Sequence, residues 1–529
     1  MKGGLRVLVA AVSLSLALSV ANATSAQKAG GILKITIFDS PSSMSTHEES
    51  AIAAERAMMG VFNNLVMFDQ HVRQNSEQSI VPDLATGWLW SENGTALTFP
   101  LRRGVKWHDG QPFTARDVKC TWDILTEKSN EKLRVNPRKP WYRNLDDVTS
   151  VGDYEVTFHL KRPQPAFLAL LASGWSPVYP CHVPPRDMRS HPIGTGPFKF
   201  GEFKPKEVIR VARNPDYWKK DRPYLDGIEY PIIPSTSTRM LGFIAGKFDI
   251  SFLQIPLLRD VRSQAPQAIC DLVPDNAARN LIVSRTVPPF DNPDLRRAMT
   301  LSLDRKAFID ILTEGQGDIG GAMLPPPNGV WGMPPEVLHT LPGYGPDVQK
   351  NRKEARQIMK RLGYGPDKRL VFTLSARNMP VYRDPPIILL SQLREIYIDA
   401  EVQIIETVQW YPKIMRKDYT AGLSISENSL DEPDQSFYEN YVCDAERNYT
   451  GYCNPKVDKL IDEQSRESDP ARRKELVWKV ERALAEDDAQ PVIFYGRVAT
   501  CYQPQVKGLT TMVNSMFNGW RMEDVWLDQ

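Results

Sequence analysis

One stretch of this chain is apolar enough to enter a bilayer, and it stands at the start. Residues 7–20 are almost wholly apolar, Lys2 and Arg6 precede them, and Ala21-Asn22-Ala23 or Thr24-Ser25-Ala26 offers small residues for cleavage. That run is too short for a lasting membrane helix and has the layout of a secretory signal peptide, so residues 1–26 are expected to be removed. No later segment reads as a membrane span, so the rest of the 529 residues must fold in water. A single core seldom grows past about 250–300 residues, and this length therefore asks for roughly two to four domains.

Export sets the chemistry of the six cysteines, because disulfides persist in an oxidising compartment. Cys443 and Cys453 flank a short polar loop and are expected to close it. Cys120, Cys181, Cys270 and Cys501 are left open between free buried thiols and pairs that sequence cannot assign. No cysteine lies near either cleavage site, so no lipid anchor is expected. The net charge of +1 offers no field for nucleic acid or an anionic membrane surface.

Strand and helix signals alternate along the mature chain. Residues 30–38 form a β-rich run that breaks at Asp39-Ser40-Pro41, and a helical stretch follows over about 48–59, slim at Ala53, Ala57 and Gly60. Leu97, Phe99 and Leu101 alternate with polar residues, as do Val156, Phe158 and Leu160, which is the pattern of half-buried strands. Between them Thr114 and Asp117 have the spacing of a capping box. Further strands are expected near 199–203, 208–212 and 227–233. After Cys270 helices dominate: Asn292-Pro293 and Asp304 read as helix starts, 351–362 as a helix ended by Gly363, and Asp469-Pro470 as the cap of the clearest helix. Residues 491–495 return to strand and are placed to rejoin the first sheet. The whole reads as a mixed α/β protein.

Enzyme signatures are missing from the sequence. There is no Gly-x-Ser-x-Gly elbow and no phosphate loop ending in Gly-Lys-Ser or Gly-Lys-Thr. The seven histidines lack metal-ligand spacing, and no metal or cofactor is expected. In Gly194-Thr195-Gly196-Pro197, Pro197 lacks the backbone donor a phosphate would need, so the motif reads as a tight turn. The acidic loop Asp431-Glu432-Pro433-Asp434 is either a solvated turn or the edge of a ligand site. Used as paired carboxylates it would make a secreted hydrolase, the alternative from a different functional class.

Several stretches, in order, resemble the periplasmic solute-binding proteins of the peptide/nickel ABC-transporter type, the extracytoplasmic family 5. The closest runs from Ala85-Thr86-Gly87-Trp88 through residues 94–99 and 101–110 to Thr114-Ala115-Arg116-Asp117-Val118. Residues 194–198, 213–218, 246–250, 289–298, 454–458 and 506–508 continue it to the end of the chain. The resemblance implies an α/β, two-lobed periplasmic-binding-protein fold (type II, cluster C) with an extra subdomain in the first lobe. Lobe I would take 27–269, including a subdomain over about 64–192; lobe II would take 270–489, and 490–529 would return to lobe I. Such a protein is not an enzyme. It is a periplasmic monomer that encloses a small peptide or peptide-like ligand between its lobes and delivers it to an inner-membrane ABC permease complex.

Site residues follow from the same resemblance. Dipeptide- and oligopeptide-binding members hold the ligand's amino group with an aspartate four residues before a proline. Pro433 matches that proline, and the matching position is Ser429, which leaves Asp431 or Asp434 to serve in its place. The carboxylate-binding arginine of the dipeptide-binding member corresponds to Arg383, after Met379-Pro380-Val381, with Arg377 as the alternative. Ser42, Ser43 and Met44 follow the first strand where the family's loop faces the cleft, and Trp410 and Tyr411 lie where an aromatic approaches ligand. The departure at Ser429 keeps a non-peptide solute open: a nickel chelate, an opine or an oligosaccharide.

Overall fold

Two long antiparallel strands, Ile269–Val283 and Val492–Tyr502, run side by side through the molecule. At one end Leu272, Ala499 and Cys501 pack with Phe243 and Val261. At the other, Leu281, Val283, Ile493 and Phe494 belong to a core shared with Leu374 and Leu423. Each strand is anchored in two separate cores, so the chain forms two lobes joined by strands that cross between them. This computed structural model describes residues 27–445, 447–513 and 518–529; the expected signal peptide lies outside the described residues. Among the described residues no helix is long and apolar enough to cross a membrane.

The first lobe holds a four-stranded sheet in the order Ile32–Lys34, Gly227–Pro231, Val208–Arg213, Phe198–Lys204. The alternating segments expected to be strands pair with one another: Leu97 faces Phe158 and Phe99 faces Val156 in a separate antiparallel sheet with its own core. In the second lobe the crossing strands join Ala421–Glu427, Leu370–Arg377 and Ile398–Ile405; the far edge of the same sheet, Ile250–Leu253, packs in the first lobe. Val492–Tyr502, expected to rejoin the first sheet, does not pair with that sheet directly; it pairs with Ile269–Val283 and with Ile250–Leu253, which is bridged to Ile35 beyond the first strand. The residues after it return instead, with Val506, Trp520, Met522, Val525 and Leu527 filling the first lobe's core.

Local signals explain most helix starts. Thr114 and Asp117 form the reciprocal capping box, and Asn292, Asp304 and Asp469 each accept a backbone N–H in the first turn that follows. The helix expected over 351–362 is Val348–Arg361, because Asp347 accepts from the Lys350 N–H and starts it a turn earlier. The stretch expected over 48–59 is helical only at Ile52–Met58. Gly194-Thr195-Gly196 bends at 195–197 and lies against the backbone of Gly60 and Val61. A Cβ on Gly194 would lie 1.9 Å from the Val61 carbonyl, and one on Gly196 would lie 2.6 Å from that of Gly60.

All six cysteines are bonded: Cys443–Cys453, as expected, and Cys120–Cys181 and Cys270–Cys501, which sequence left open. The last joins the two crossing strands where Cys270 and Cys501 are paired in register.

The lobes touch. The Arg162 guanidinium donates to the Tyr438 hydroxyl (2.7 Å), Asp462 (3.2 Å) and the Ser465 hydroxyl (3.1 Å). Gln164 donates to Asp434 at 2.7 Å. Asn518 donates to the Ser429 carbonyl at 2.7 Å.

Candidate ligand-binding site

Where the crossing strands pass between the lobes, their ladder is interrupted between Pro274 and Ala278. Pro274 has no N–H to give a ladder, and a bulge there re-aims the side chains that follow. Asp275, Ala277 and Arg279 consequently reach a cavity of about 270 Å³. The first lobe supplies Phe38 and Asp39 after the first strand, Ile52 and Arg56 one helical turn apart, Arg239, and Phe252 to Gln254. The second lobe supplies Arg377 through Tyr382, Tyr411, Ile425 and Glu427.

The charge of this wall is lopsided. Five arginines line it (Arg56, Arg239, Arg279, Arg377 and Arg497) against three carboxylates, Asp39, Asp275 and Glu427. Burial pushes the Glu427 carboxyl above its ordinary range, against the pull of Arg447 and Arg377, which widens the imbalance. Four of the arginines are occupied. Arg377 donates to Asp39 across the lobes at 2.9 Å, to Thr407 at 3.2 Å and to the Tyr411 hydroxyl at 3.3 Å. Arg279 grips Asp275 with two bonds of 2.9 and 3.0 Å, and Arg239 donates to the carbonyls of Ile233 and Pro234. Arg497 pairs with Asp318 at 3.4 Å. Arg56 is different: its three guanidinium nitrogens are buried and have no hydrogen-bond partner among the described residues.

The residues singled out from sequence are distributed unevenly. Arg377 and Tyr411 lie on the cavity wall. Arg383 sits six residues on, exposed at the end of the short helix Pro380–Arg383 with Asn378 beside it, outside the lining. Trp410 is fully buried with Ile405 and Ile414, because adjacent helical residues point about 100° apart and its neighbour Tyr411 takes the cleft side. Ser42 and Ser43 both donate to Glu49, and Met44 is core. Ser429 is buried, donating to Gln435 and facing the Ser173 hydroxyl.

The acidic loop is likewise built into the second lobe rather than set free beside the cavity. Asp434 accepts from Gln164, Gln464 and Ser465, each at 2.7 Å, and faces Arg473. Asp431 accepts from the Val330 N–H, and burial pushes its carboxyl up to about 7. It borders a second opening of about 400 Å³, walled by Phe68, Ala169, Trp331 and Arg473. Of the two basic groups there, Arg473 is already paired with Glu432 and Asp434, and none of the lining comes from the crossing strands. The cavity on those strands is therefore the candidate site. Sequence reasoning passed over Arg56, Asp39, Asp275, Arg279 and Glu427. The one signal was Arg56 itself, a charge set between the alanines of a small-residue helix.

The model for bacterial extracellular solute-binding proteins, family 5, matches residues 79–448. Di/tripeptide-binding protein 1 of Pseudomonas aeruginosa (strain UCBPP-PA14) is 27% identical over 500 residues, 88% of each chain. The oligopeptide-binding protein AppA from Bacillus subtilis, solved with a nonapeptide, superposes with a TM-score of 0.82 at 22% identity, covering 95% of this chain and 100% of that one. AgaA from A. tumefaciens R10, solved with agropinic acid, gives a TM-score of 0.81 at 19% identity, covering 94% of this chain and 99% of that one. These likenesses agree with the two-lobed α/β architecture described above.

Proposed function

This chain belongs to the bacterial extracellular solute-binding proteins, family 5, and on that premise we propose that it is a periplasmic receptor for a peptide or peptide-like solute. It encloses that solute between its lobes, closes, and hands it unchanged to an inner-membrane ABC permease. It is a monomer, not an enzyme, and matures by loss of the signal peptide. Lobe I spans 27–269 with its subdomain at about 64–192, lobe II spans 270–489, and 490–529 returns to lobe I along the crossing strand Val492–Tyr502.

The observation that carries this reading is the cavity itself, walled by both lobes and by the strands that cross between them. A ligand there touches both lobes only when they are shut, and such differential contact is what shifts an open–closed equilibrium. The site also suits an extended guest. The ladder between Leu370–Arg377 and Ala421–Glu427 covers only Ala421 and Gly422, so the stretch with Ile425 and Glu427 runs past the cavity without a partner strand on that side. A peptide backbone added along it would gain main-chain hydrogen bonds independent of its side chains.

A second reading, a carboxylated solute that is not a peptide, draws on the surplus of arginine and on Ser429 standing where the family's amine-holding aspartate is expected. Native mass spectrometry of freshly purified protein separates the two readings by the mass of the retained solute. Scattering and thermal unfolding with a di- to pentapeptide panel complete the test. A retained peptide, or a peptide that both contracts the protein and raises its melting temperature by mass action, is the expected result. Hydrolysis of any panel member, or indifference to all of them together with a retained solute of another class, would overturn the peptide-receptor reading.

A further inference from the structure

Resting on that reading, we infer that Arg56 is a ligand-binding residue that grips a carboxylate of the enclosed solute. Arg56 is 1% exposed, and Nε, Nη1 and Nη2 all lack an acceptor among the described residues, yet the residue borders the cavity. A guanidinium has five N–H donors in a fixed plane, and leaving them unmatched in the interior is among the costliest arrangements a fold can keep. Its faces are satisfied: the central carbon lies 3.7 Å from the Phe252 ring centroid and 4.8 Å from that of Trp520. Its edges are not, and the edge is where a carboxylate docks with two parallel hydrogen bonds.

Among the described residues no acid does this work. Glu55, adjacent in sequence, is buried with both carboxyl oxygens unpartnered, so the two side chains do not bond to each other. Burial holds the Glu55 carboxyl well above its ordinary range, despite the nearby Arg56, Arg138 and Arg521. Burial also lowers Arg56 to about 9, which leaves it cationic at neutral pH. The contrast with Arg377 is informative. Arg377 is the alternative to Arg383 as a carboxylate holder, but it is committed to Asp39, Thr407 and Tyr411 and ties the lobes together. Of the arginines on the wall, Arg56 has every donor free.

The test compares the wild-type chain with Arg56→Met, which keeps length and apolar contact, and Arg56→Lys, which keeps charge without the planar fork. The probes are Ala-Ala-Ala, its carboxy-terminal amide, and Ala-Glu-Ala amide, titrated calorimetrically at pH 7. Wild-type protein should favour a carboxylate-bearing probe over the simple amide by about tenfold or more. Arg56→Met should abolish that preference and Arg56→Lys should restore part of it; which acid wins tells a terminal from a side-chain carboxylate. A preference that survives Arg56→Met overturns the assignment while leaving the receptor reading intact. If no peptide binds, the peptide reading fails by itself, and thermal unfolding with succinate decides Arg56. A saturable rise in melting temperature that is absent in Arg56→Met supports the assignment, and equal or absent responses overturn it. Without any probe, Arg56→Met should melt higher than wild type, because it removes an unmatched buried charge. A lower melting temperature would mark Arg56 as a structural prop on Phe252 and Trp520 and would also overturn the inference.

Discussion

Arg162→Ala should weaken ligand binding although Arg162 lines no part of the cavity. Its guanidinium belongs to the first lobe's subdomain and reaches three groups of the second lobe: the Tyr438 hydroxyl, Asp462 and the Ser465 hydroxyl. Tyr438 in turn donates to Asp462 at 2.6 Å, so the clasp is a small network. Hydrogen bonds to a charged group contribute about 1.5–3 kcal/mol when sheltered, but exposed ion pairs contribute about 0–1. Arg162 is 16% exposed and Asp462 38%, so the ion pair belongs at the lower figure and the whole clasp at about 1–2 kcal/mol. That free energy exists only while the lobes touch. Its loss should shift the closed-to-open ratio about 5–30-fold toward open, and raise Kd by a similar factor where the ligand-free protein is mostly open. Calorimetry with a bound peptide reads the affinity, and small-angle scattering of the ligand-free protein reads the shape. Asp462→Asn, alone and combined with Arg162→Ala, should give less than additive losses if the two act through one contact. A Kd within twofold of wild type and an unchanged scattering profile would refute the claim that this contact holds the lobes together.

Two further measurements address stability. Glu481 is buried, and one carboxyl oxygen accepts from the Met323 N–H. Burial pushes its carboxyl up from 4.5 to about 8. Between those values the folded protein keeps a proton that the unfolded chain releases, so this group removes stability as pH rises toward 8, on the order of a few kcal/mol. Glu481→Gln should therefore gain in melting temperature over wild type from pH 5 to 8.5, and parallel curves would contradict the assignment. The disulfides close loops of sequence separation 10 (Cys443–Cys453), 61 (Cys120–Cys181) and 231 (Cys270–Cys501). In the chain-entropy model the pairwise Cys→Ala losses should rank in that order, at about 3, 4 and 5.5 kcal/mol. Urea unfolding midpoints check the ranking, and the largest loss at Cys443–Cys453 would reverse it.

The parts of the fold legible in sequence are those decided by neighbours a few residues apart. Thr114, Asn292, Asp304 and Asp469 cap helices because a short side chain reaches the backbone of the next turn, wherever that helix later packs. Leu97 and Phe99, like Val156 and Phe158, alternate because a strand with one wet face requires it. The Cys443–Cys453 loop is short enough to be read the same way. The order of matching segments along the chain also carried the family resemblance, since it needed no knowledge of which segments touch.

The site was another matter. Trp410 and Tyr411 are equivalent as letters, and only the docking of their helix sends one into a core and the other to the cleft. Arg377 and Arg383 were alternatives in sequence; the end of a strand carries the first to the cavity, and a short helix leaves the second exposed. Asp434 looked available until Gln164 of the other lobe was found bonded to it. Sequence by itself determined an α/β chain with family-5 segments, local caps and strands. Tertiary structure alone decided which charges are neutralised, by Asp39, Asp275 and Asp318, and which, at Arg56, is not. The reason is physical. A charge's surroundings in a cleft come from segments hundreds of residues apart, and its desolvation depends on all of them together.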